Sequence, residues 1–291
     1  MTTQPQTVVV EAPAKVNLFL HVVGKREDGY HLLDSLVCFA GVGDTLEMSD
    51  ACGLSLTVDG PTAGLLPPGE DNIVLRVARR LAERTGRAAN AAIRLTKRLP
   101  VAAGIGGGSA DAAAVLKGLD RLWNTALPED EMRALALSIG ADVPVCVRGR
   151  ATHMAGVGEV LSDTPALPPA WLVLVNPMVP LSTPAVFKAR AAGFSDPAPL
   201  AEAPADARAL AQALELRRND LTDPAMALAP VVGEVLDAIA RSPGPCLLAR
   251  MSGSGATCFG LYADEAAARA ASTAIAKAHP AWWTAAAPLL G

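Results

Sequence analysis

One stretch restricts the fold more than any other: Pro100-Val101-Ala102-Ala103-Gly104-Ile105-Gly106-Gly107-Gly108-Ser109-Ala110-Asp111. Glycines directly before a helical pattern (Val115, Leu116, Leu119, Leu122) let main-chain NH groups converge on an anion, and the helix dipole favours negative charge there. A nucleotide phosphate is the guest this suits. The stretch is not a Walker A loop, because no Gly-Lys-Ser/Thr follows. It misses the dinucleotide GxGxxG, because Ser109 stands at the third glycine, and Asp111 excludes a GxSxG nucleophile elbow. Taken alone, a glycine cluster reads first as a tight turn that uses positive φ, so its neighbours decide.

The neighbouring pattern is α+β. In Lys15 to Val23, Val16, Leu18, Leu20 and Val22 share one strand face and Lys15, Asn17, Phe19 and His21 the other. Leu32–Phe39, Asp44–Met48 and Leu54–Val58 add strands, so the first 58 residues are mostly β. Asn72–Arg84 reads as an amphipathic helix stopped by Gly86, Ile93–Leu95 as a strand, and Glu129–Ile139 as a helix closed by Gly140. The proline that follows in Asp142-Val143-Pro144 is expected to turn the chain out of helix and hold Asp142 at a corner. The second half reads strand (Trp171–Val175), helices, strand (Leu247–Met251), strand (Ala256–Leu261), helix (Asp264–His279), strand (Trp282–Ala286), an order compatible with a split βαβ, ferredoxin-like unit. Proline-rich Thr164–Pro169 suits an interdomain connection, and the domains are expected to be 1–158 and 159–291. Ala192–Asp206 lacks a period and reads as an exposed loop.

Composition excludes several function classes. The chain is 51% hydrophobic and 19% charged, a globular balance, with alanine, valine and leucine filling the interior because aromatics are 4%. No apolar run approaches the roughly 18 residues of a membrane span. The residues before Lys15 lack the basic and apolar regions of a signal peptide, so the expected location is cytoplasmic. Cys38, Cys52, Cys146, Cys246 and Cys258 form no CxxC and read as reduced, buried small hydrophobes. A net charge of −4 without a basic block disfavours nucleic acid as a partner.

The candidate chemistry lies in few residues. A lone aspartate near a helix end is usually a cap, but Asp142, between Gly140 and Pro144, is placed to accept a proton from an alcohol attacking phosphorus. Lys15, beside Asn17, can neutralise charge there; an isolated strand lysine is otherwise a solvated edge charge. Met251-Ser252-Gly253-Ser254-Gly255-Ala256-Thr257 reads alone as a hairpin loop, although its NH groups can meet a substrate. Tyr30 and His31 follow a glycine turn where a ring can stack on a base and an imidazole can bond its edge. His153 and His279 read as structural, and no HExxH pattern marks a zinc site.

Together, Ala12-Pro13-Ala14-Lys15-Val16-Asn17-Leu18, Pro100–Asp111 and Met251–Thr257 resemble, in order and spacing, the three motifs of the GHMP kinases, the galactokinase, homoserine, mevalonate and phosphomevalonate kinase superfamily. Arg26-Glu27-Asp28-Gly29-Tyr30-His31, Gly140-Ala141-Asp142-Val143-Pro144 and Asn219-Asp220-Leu221 resemble the branch whose acceptor carries a cytidine diphosphate group. The resemblance implies a two-domain fold, with an N-terminal ribosomal-protein-S5-domain-2-like β/α domain and a C-terminal ferredoxin-like domain. It implies ATP along Pro100–Ser109 with its phosphates over Gly104–Ser109, Asp142 as general base and Lys15 as its helper. It further implies Tyr30 and Phe187 flanking the cytosine, His31 at its edge, and Asn17 and Thr183 lining the substrate channel. Magnesium is implied to accompany ATP, with Ser109 as its candidate ligand because Ala110 stands where many relatives have a second serine. A monomer or weak homodimer is implied. Two other readings stay open: a GHMP kinase whose alcohol needs no cytidine group, and a non-catalytic RNA-binding module, which the acidic balance disfavours.

Overall fold

The computed structural model describes residues 7–66, 72–191 and 193–291. They build two compact units, each from separate stretches of chain: one from the chain up to Ala14, Gly43–Val101 and Gly107–Gly149, the other from Lys15–Val42, Ala102–Gly106 and Arg150–Gly291. The long strands β1 (Thr7–Lys25) and β2 (His31–Ser49) supply residues to both.

In the first unit, β3 (Leu54–Asp59) runs parallel to β4 (Ala91–Thr96), and the connection between them carries α1 (Ile73–Thr85), a βαβ crossover. Asn72 caps α1 by accepting the NH of Val74, and Gly86 ends it at φ +66°. The apolar stripe of α1 is buried through Val74, Val77, Ala78 and Leu81. The last residues of β2 pair antiparallel with β4, Thr45 opposite Thr96. The strands expected at Leu32–Phe39 and Asp44–Met48 are one continuous β2, with Gly43 between them: a Cβ there would lie 2.3 Å from the carbonyl oxygen of Ala12, so only glycine permits the approach. The unit is completed by α2 (Gly107–Trp123), α3 (Glu129–Ile139) and α4 (Val143–Arg148). The expectation that the chain leaves helix before Pro144 is corrected here. Pro144 sits in the first turn of α4, where its missing NH costs no hydrogen bond.

The second unit contains β5 (Thr152–Gly156), which pairs with the first part of β2 and with β6 (Val160–Ser162). Its main sheet is formed by β7 (Trp171–Asn176), β8 (Leu248–Met251), β9 (Cys258–Tyr262) and β10 (Trp283–Leu290), antiparallel in the order β10-β7-β9-β8. Four helices, α5 (Thr183–Ala189), α6 (Ala207–Glu215), α7 (Thr222–Leu228) and α8 (Val231–Ala240), precede β8, and α9 (Glu265–Ala278) links β9 to β10. This is the ferredoxin-like β-α-β-β-α-β sequence. Its core is aliphatic, with Val173, Val175, Val232, Val235, Ile239 and Ile275 buried together.

Residues 193–206 form neither helix nor strand, but they are anchored: Ser195 donates its NH to Val22 O at 3.0 Å and Ala198 to Asp34 Oδ2 at 2.7 Å. Ala192, the first residue of that expected loop, lies outside the described residues. Cys38, Cys146 and Cys258 are buried as expected, whereas Cys52 is exposed and Cys246 half-buried. Among the described residues no helix is long and apolar enough to cross a membrane.

Candidate functional site

The glycine loop is shaped by positive φ at Ala102 (+52°), Gly104 (+74°) and Gly106 (+61°). A Cβ at Gly104 would fall 2.5 Å from Gly255 O and 2.8 Å from Ser252 O, and one at Gly106 would fall 3.1 Å from Lys15 Cβ. Glycine is thus required for close approach as well as for backbone angle. Ala102 adopts a positive φ without being glycine, so it carries local strain. After Pro100 and Val101 the loop is fastened to the 251–257 segment: Ala103 O accepts the NH of Thr257 at 3.1 Å and Gly104 O accepts the Ser252 hydroxyl at 3.2 Å. Beyond Ile105 and Gly106, α2 opens on Gly107, Gly108 and Ser109, residues of a first turn whose NH groups have no intrahelical acceptor. Nothing lies within 4 Å of a Cβ added at Gly108.

Beneath that helix start in the first unit is a buried ionic group that the sequence reading did not single out. Lys97 Nζ donates to Asp44 Oδ2 at 2.5 Å and Asp111 Oδ2 at 2.6 Å, and all three side chains are almost wholly buried. Asp44 Oδ1 also accepts the NH groups of Arg98 (2.5 Å) and Leu99 (2.8 Å). Burial pushes the Asp111 carboxyl up to about 7, Lys97 pulling it down and Asp44 pushing it further up. Burial works against the charge of Lys97, but the Asp111 and Asp44 carboxylates hold its pKa above the ordinary range. The ammonium lies 3.4 Å from where a Cβ on Gly107 would stand, directly under the first turn. One signal was legible: Asp111 falls on the same helical face as Val115 and Leu119, and an aspartate in an apolar stripe requires a partner.

In the second unit, Lys15 is 3% exposed, which excludes the solvated-edge reading, and its NH donates to Ile105 O at 3.0 Å. Asn17 is buried on the same strand and donates its NH to Ser252 Oγ at 3.1 Å. The 251–257 segment joins β8 to β9, as a hairpin loop does, but it is held rigidly. Asn219 Nδ2 donates to Met251 O and Gly253 O, each at 2.8 Å, and Thr183 Oγ1 shares a 2.7 Å hydrogen bond with Ser254 Oγ. Thr183 opens α5, and Phe187 on the same helix stacks on His31, with centroids 4.9 Å apart and 24° between planes. Burial, then the charges of Lys25 and Arg190, push the His31 pKa below its ordinary value, so its ring is neutral at physiological pH and offers one donor and one acceptor. Tyr30 beside it is 65% exposed.

Asp142 belongs to the first unit, between α3 and α4, and its side chain makes no capping hydrogen bond to α4. His153 and His279 have structural contacts as expected: His153 Nε2 bonds Asp34 Oδ1 at 2.5 Å, and His279 stacks on Trp282. Among the described residues no group of three or more His, Cys, Asp or Glu is arranged to hold a metal ion.

The GHMP kinases N terminal domain matches residues 72–150 and the GHMP kinases C terminal domain matches residues 200–281. The chain is 69% identical over 97% of its length, and 98% of the relative's, to a 4-diphosphocytidyl-2-C-methyl-D-erythritol kinase of Paramagnetospirillum magneticum. It is 58% identical to the protein of that name from Rhodospirillum rubrum, over 98% of this chain and 93% of the relative. Its structure is similar to a crystal structure of 4-(cytidine 5'-diphospho)-2C-methyl-D-erythritol kinase (TM-score 0.81, 35% identity, 97% of this chain and 99% of that chain). It shares its fold with a homoserine kinase from Cytophaga hutchinsonii (TM-score 0.72, 18% identity, 100% and 99% covered).

Proposed function

The chain belongs to the 4-diphosphocytidyl-2-C-methyl-D-erythritol kinase branch of the GHMP kinases, and on that premise we propose that it transfers the γ-phosphoryl group of ATP to the 2-hydroxyl of 4-diphosphocytidyl-2-C-methyl-D-erythritol. The products are the 2-phosphate and ADP, in the non-mevalonate route to isoprenoid precursors. The observation that carries this reading is a likeness to kinases of that name running the length of both chains.

The ATP phosphates are taken by the loop at 100–109, where glycines at 104 and 106 exclude side chains and the first turn of α2 presents its NH groups. In the transfer, the substrate oxygen bonds to the γ-phosphorus while the bond from phosphorus to the β,γ-bridging oxygen breaks, its electron pair leaving with ADP. The Asp142 carboxylate takes the hydroxyl proton, and the Lys15 ammonium offsets charge at the developing alkoxide. Positioning and electrostatics supply most of the acceleration. The hydroxyl oxygen of Ser109, a hard donor at the start of α2, would be the residue to hold a magnesium ion accompanying ATP, which would supply neutralisation of phosphate charge.

The cytosine is taken by Tyr30 and Phe187, with the neutral His31 at its edge, and Asn17 and Thr183 line the channel for the methylerythritol part. Residues 1–158 contribute the phosphate loop together with Asn17, Tyr30 and His31, and 159–291 contribute to substrate binding through Thr183 and Phe187. The protein works as a cytoplasmic monomer or weak homodimer. Comparing turnover of 4-diphosphocytidyl-2-C-methyl-D-erythritol with that of homoserine, mevalonate and the acceptor stripped of its cytidine tests the assignment. Only the cytidine-bearing alcohol is expected to react, and equal turnover of the stripped acceptor contradicts it.

A further inference from the structure

The side-chain amide of Asn17 has two ends with different environments. Its Nδ2 donates to Ser35 Oγ at 2.8 Å, and Ser35 Oγ donates its one proton to the carbonyl of Phe19 at 2.6 Å. The hydroxyl has no proton left for Asn17 and can only accept from it, which fixes the amide with nitrogen toward Ser35 and oxygen away. That oxygen, Oδ1, is buried and has no hydrogen-bond partner among the described residues. Asn17 as a whole is 1% exposed, and Ser252 Oγ accepts its main-chain NH, so neither backbone nor side chain is free to turn toward solvent.

Oδ1 looks onto the glycine segment, 3.5 Å from where a Cβ on Gly253 would begin. Gly253 is held at φ +54°, so a side chain is disfavoured at that position. A buried acceptor kept without a partner is costly, and the locked amide cannot offer its nitrogen instead. Such an atom suits a ligand that brings a donor.

We propose that Ser35 is a positioning residue for substrate recognition: it locks the Asn17 amide so that Oδ1 accepts a hydrogen bond from a hydroxyl of the polyol acceptor. Oδ1 offers only lone pairs, so the locked orientation favours an alcohol over a carboxylate or a phosphate at that point. The proposal rests on the reading of Asn17 as part of the substrate channel.

The test uses an isosteric pair at a strand position that tolerates β-branching, Ser35→Thr and Ser35→Val. S35T keeps the hydroxyl and is expected to preserve the KM for the acceptor. S35V removes it, frees the amide to flip, and is expected to raise that KM about tenfold with the KM for ATP unchanged. Should S35V fail to fold, Ser35→Ala carries the same readout against S35T. Equal acceptor KM values for the hydroxyl-bearing and hydroxyl-free variants, or an equal rise in both substrates' KM, overturn the proposal. If the wild-type protein does not turn over the cytidine-bearing alcohol at all, the functional reading fails and the proposal falls with it.

Discussion

The main-chain NH of Lys15 donates to the carbonyl of Ile105 at 3.0 Å, bonding the strand that carries the lysine directly to the glycine loop. The two motifs lie about ninety residues apart in sequence, and this peptide hydrogen bond ties them together directly. A Cβ at Gly106 would meet Lys15 Cβ at 3.1 Å, so the side chain of the lysine is also held against the loop.

Asp142→Asn and Lys15→Ala are each expected to reduce kcat by about 10² to 10⁴, the usual range for losing a general acid or base or its electrostatic support. Calorimetric titration with ATP should give an affinity close to wild type for Asp142→Asn. Unchanged turnover would remove that residue from the chemistry.

Gly104→Ala introduces a Cβ within 2.5 Å of a carbonyl oxygen at a φ of +74°, and is expected to cost about 3 kcal/mol from overpacking and left-handed strain combined. Urea denaturation and ATP titration should both show loss. The opposite change, Ala102→Gly, relieves strain at φ +52° and should raise stability by up to about 1 kcal/mol.

Lys97→Met leaves Asp44 and Asp111 facing each other without the ammonium between them. Removing one partner from a buried ionic group costs about 3–5 kcal/mol. The double variant Lys97→Met/Asp111→Leu is expected to recover much of that, because it removes a stranded carboxyl as well. Equal urea midpoints for the single and double variants would mean that the charge balance there is unimportant.

Tyr30→Ala should raise the KM for the cytidine-bearing acceptor by the equivalent of about 1–3 kcal/mol, the worth of stacking on a base. The KM for ATP should not move. A rise confined to ATP would contradict the stacking role.

Asp34 supplies a pH prediction. Burial disfavours its charge, but the hydrogen bond from His153, the NH of Ala198 and the nearby His153 and His21 rings together hold its pKa below the usual carboxylate value. Its stabilising contribution is complete above the ordinary aspartate pKa of about 4 and is lost as the pH falls through the lowered native value. Urea midpoints measured from pH 6 downward should therefore fall more steeply below pH 4 for the wild type than for Asp34→Asn.

Much of this architecture was readable from local chemistry. Asn72 and Gly86 mark the ends of α1, and the order of strands and helices after Trp171 already describes the ferredoxin-like unit. The phosphate loop was legible because glycines before a helical period have a specific physical use. What stayed hidden depends on distant partners. Leu32–Phe39 and Asp44–Met48 read as separate strands, but they are one strand, β2, in which Gly43 permits close approach to Ala12 of β1. The strands β5 and β6, short and paired just before the proline-rich Thr164–Pro169, carried no clear pattern of their own in the sequence. Lys97 acquires meaning only when Asp44 and Asp111, from a strand and a helix, close around it. Ser35 likewise gains a role only when β1 brings Asn17 beside it.

Phosphorus NMR of a mixture of the protein, magnesium ATP and 4-diphosphocytidyl-2-C-methyl-D-erythritol tests the central claim most directly. The account predicts ADP and a new phosphomonoester signal on the acceptor, in equal amounts and only when the cytidine-bearing alcohol is present. ADP release without a new phosphomonoester, or no reaction from protein that demonstrably binds ATP, would contradict it.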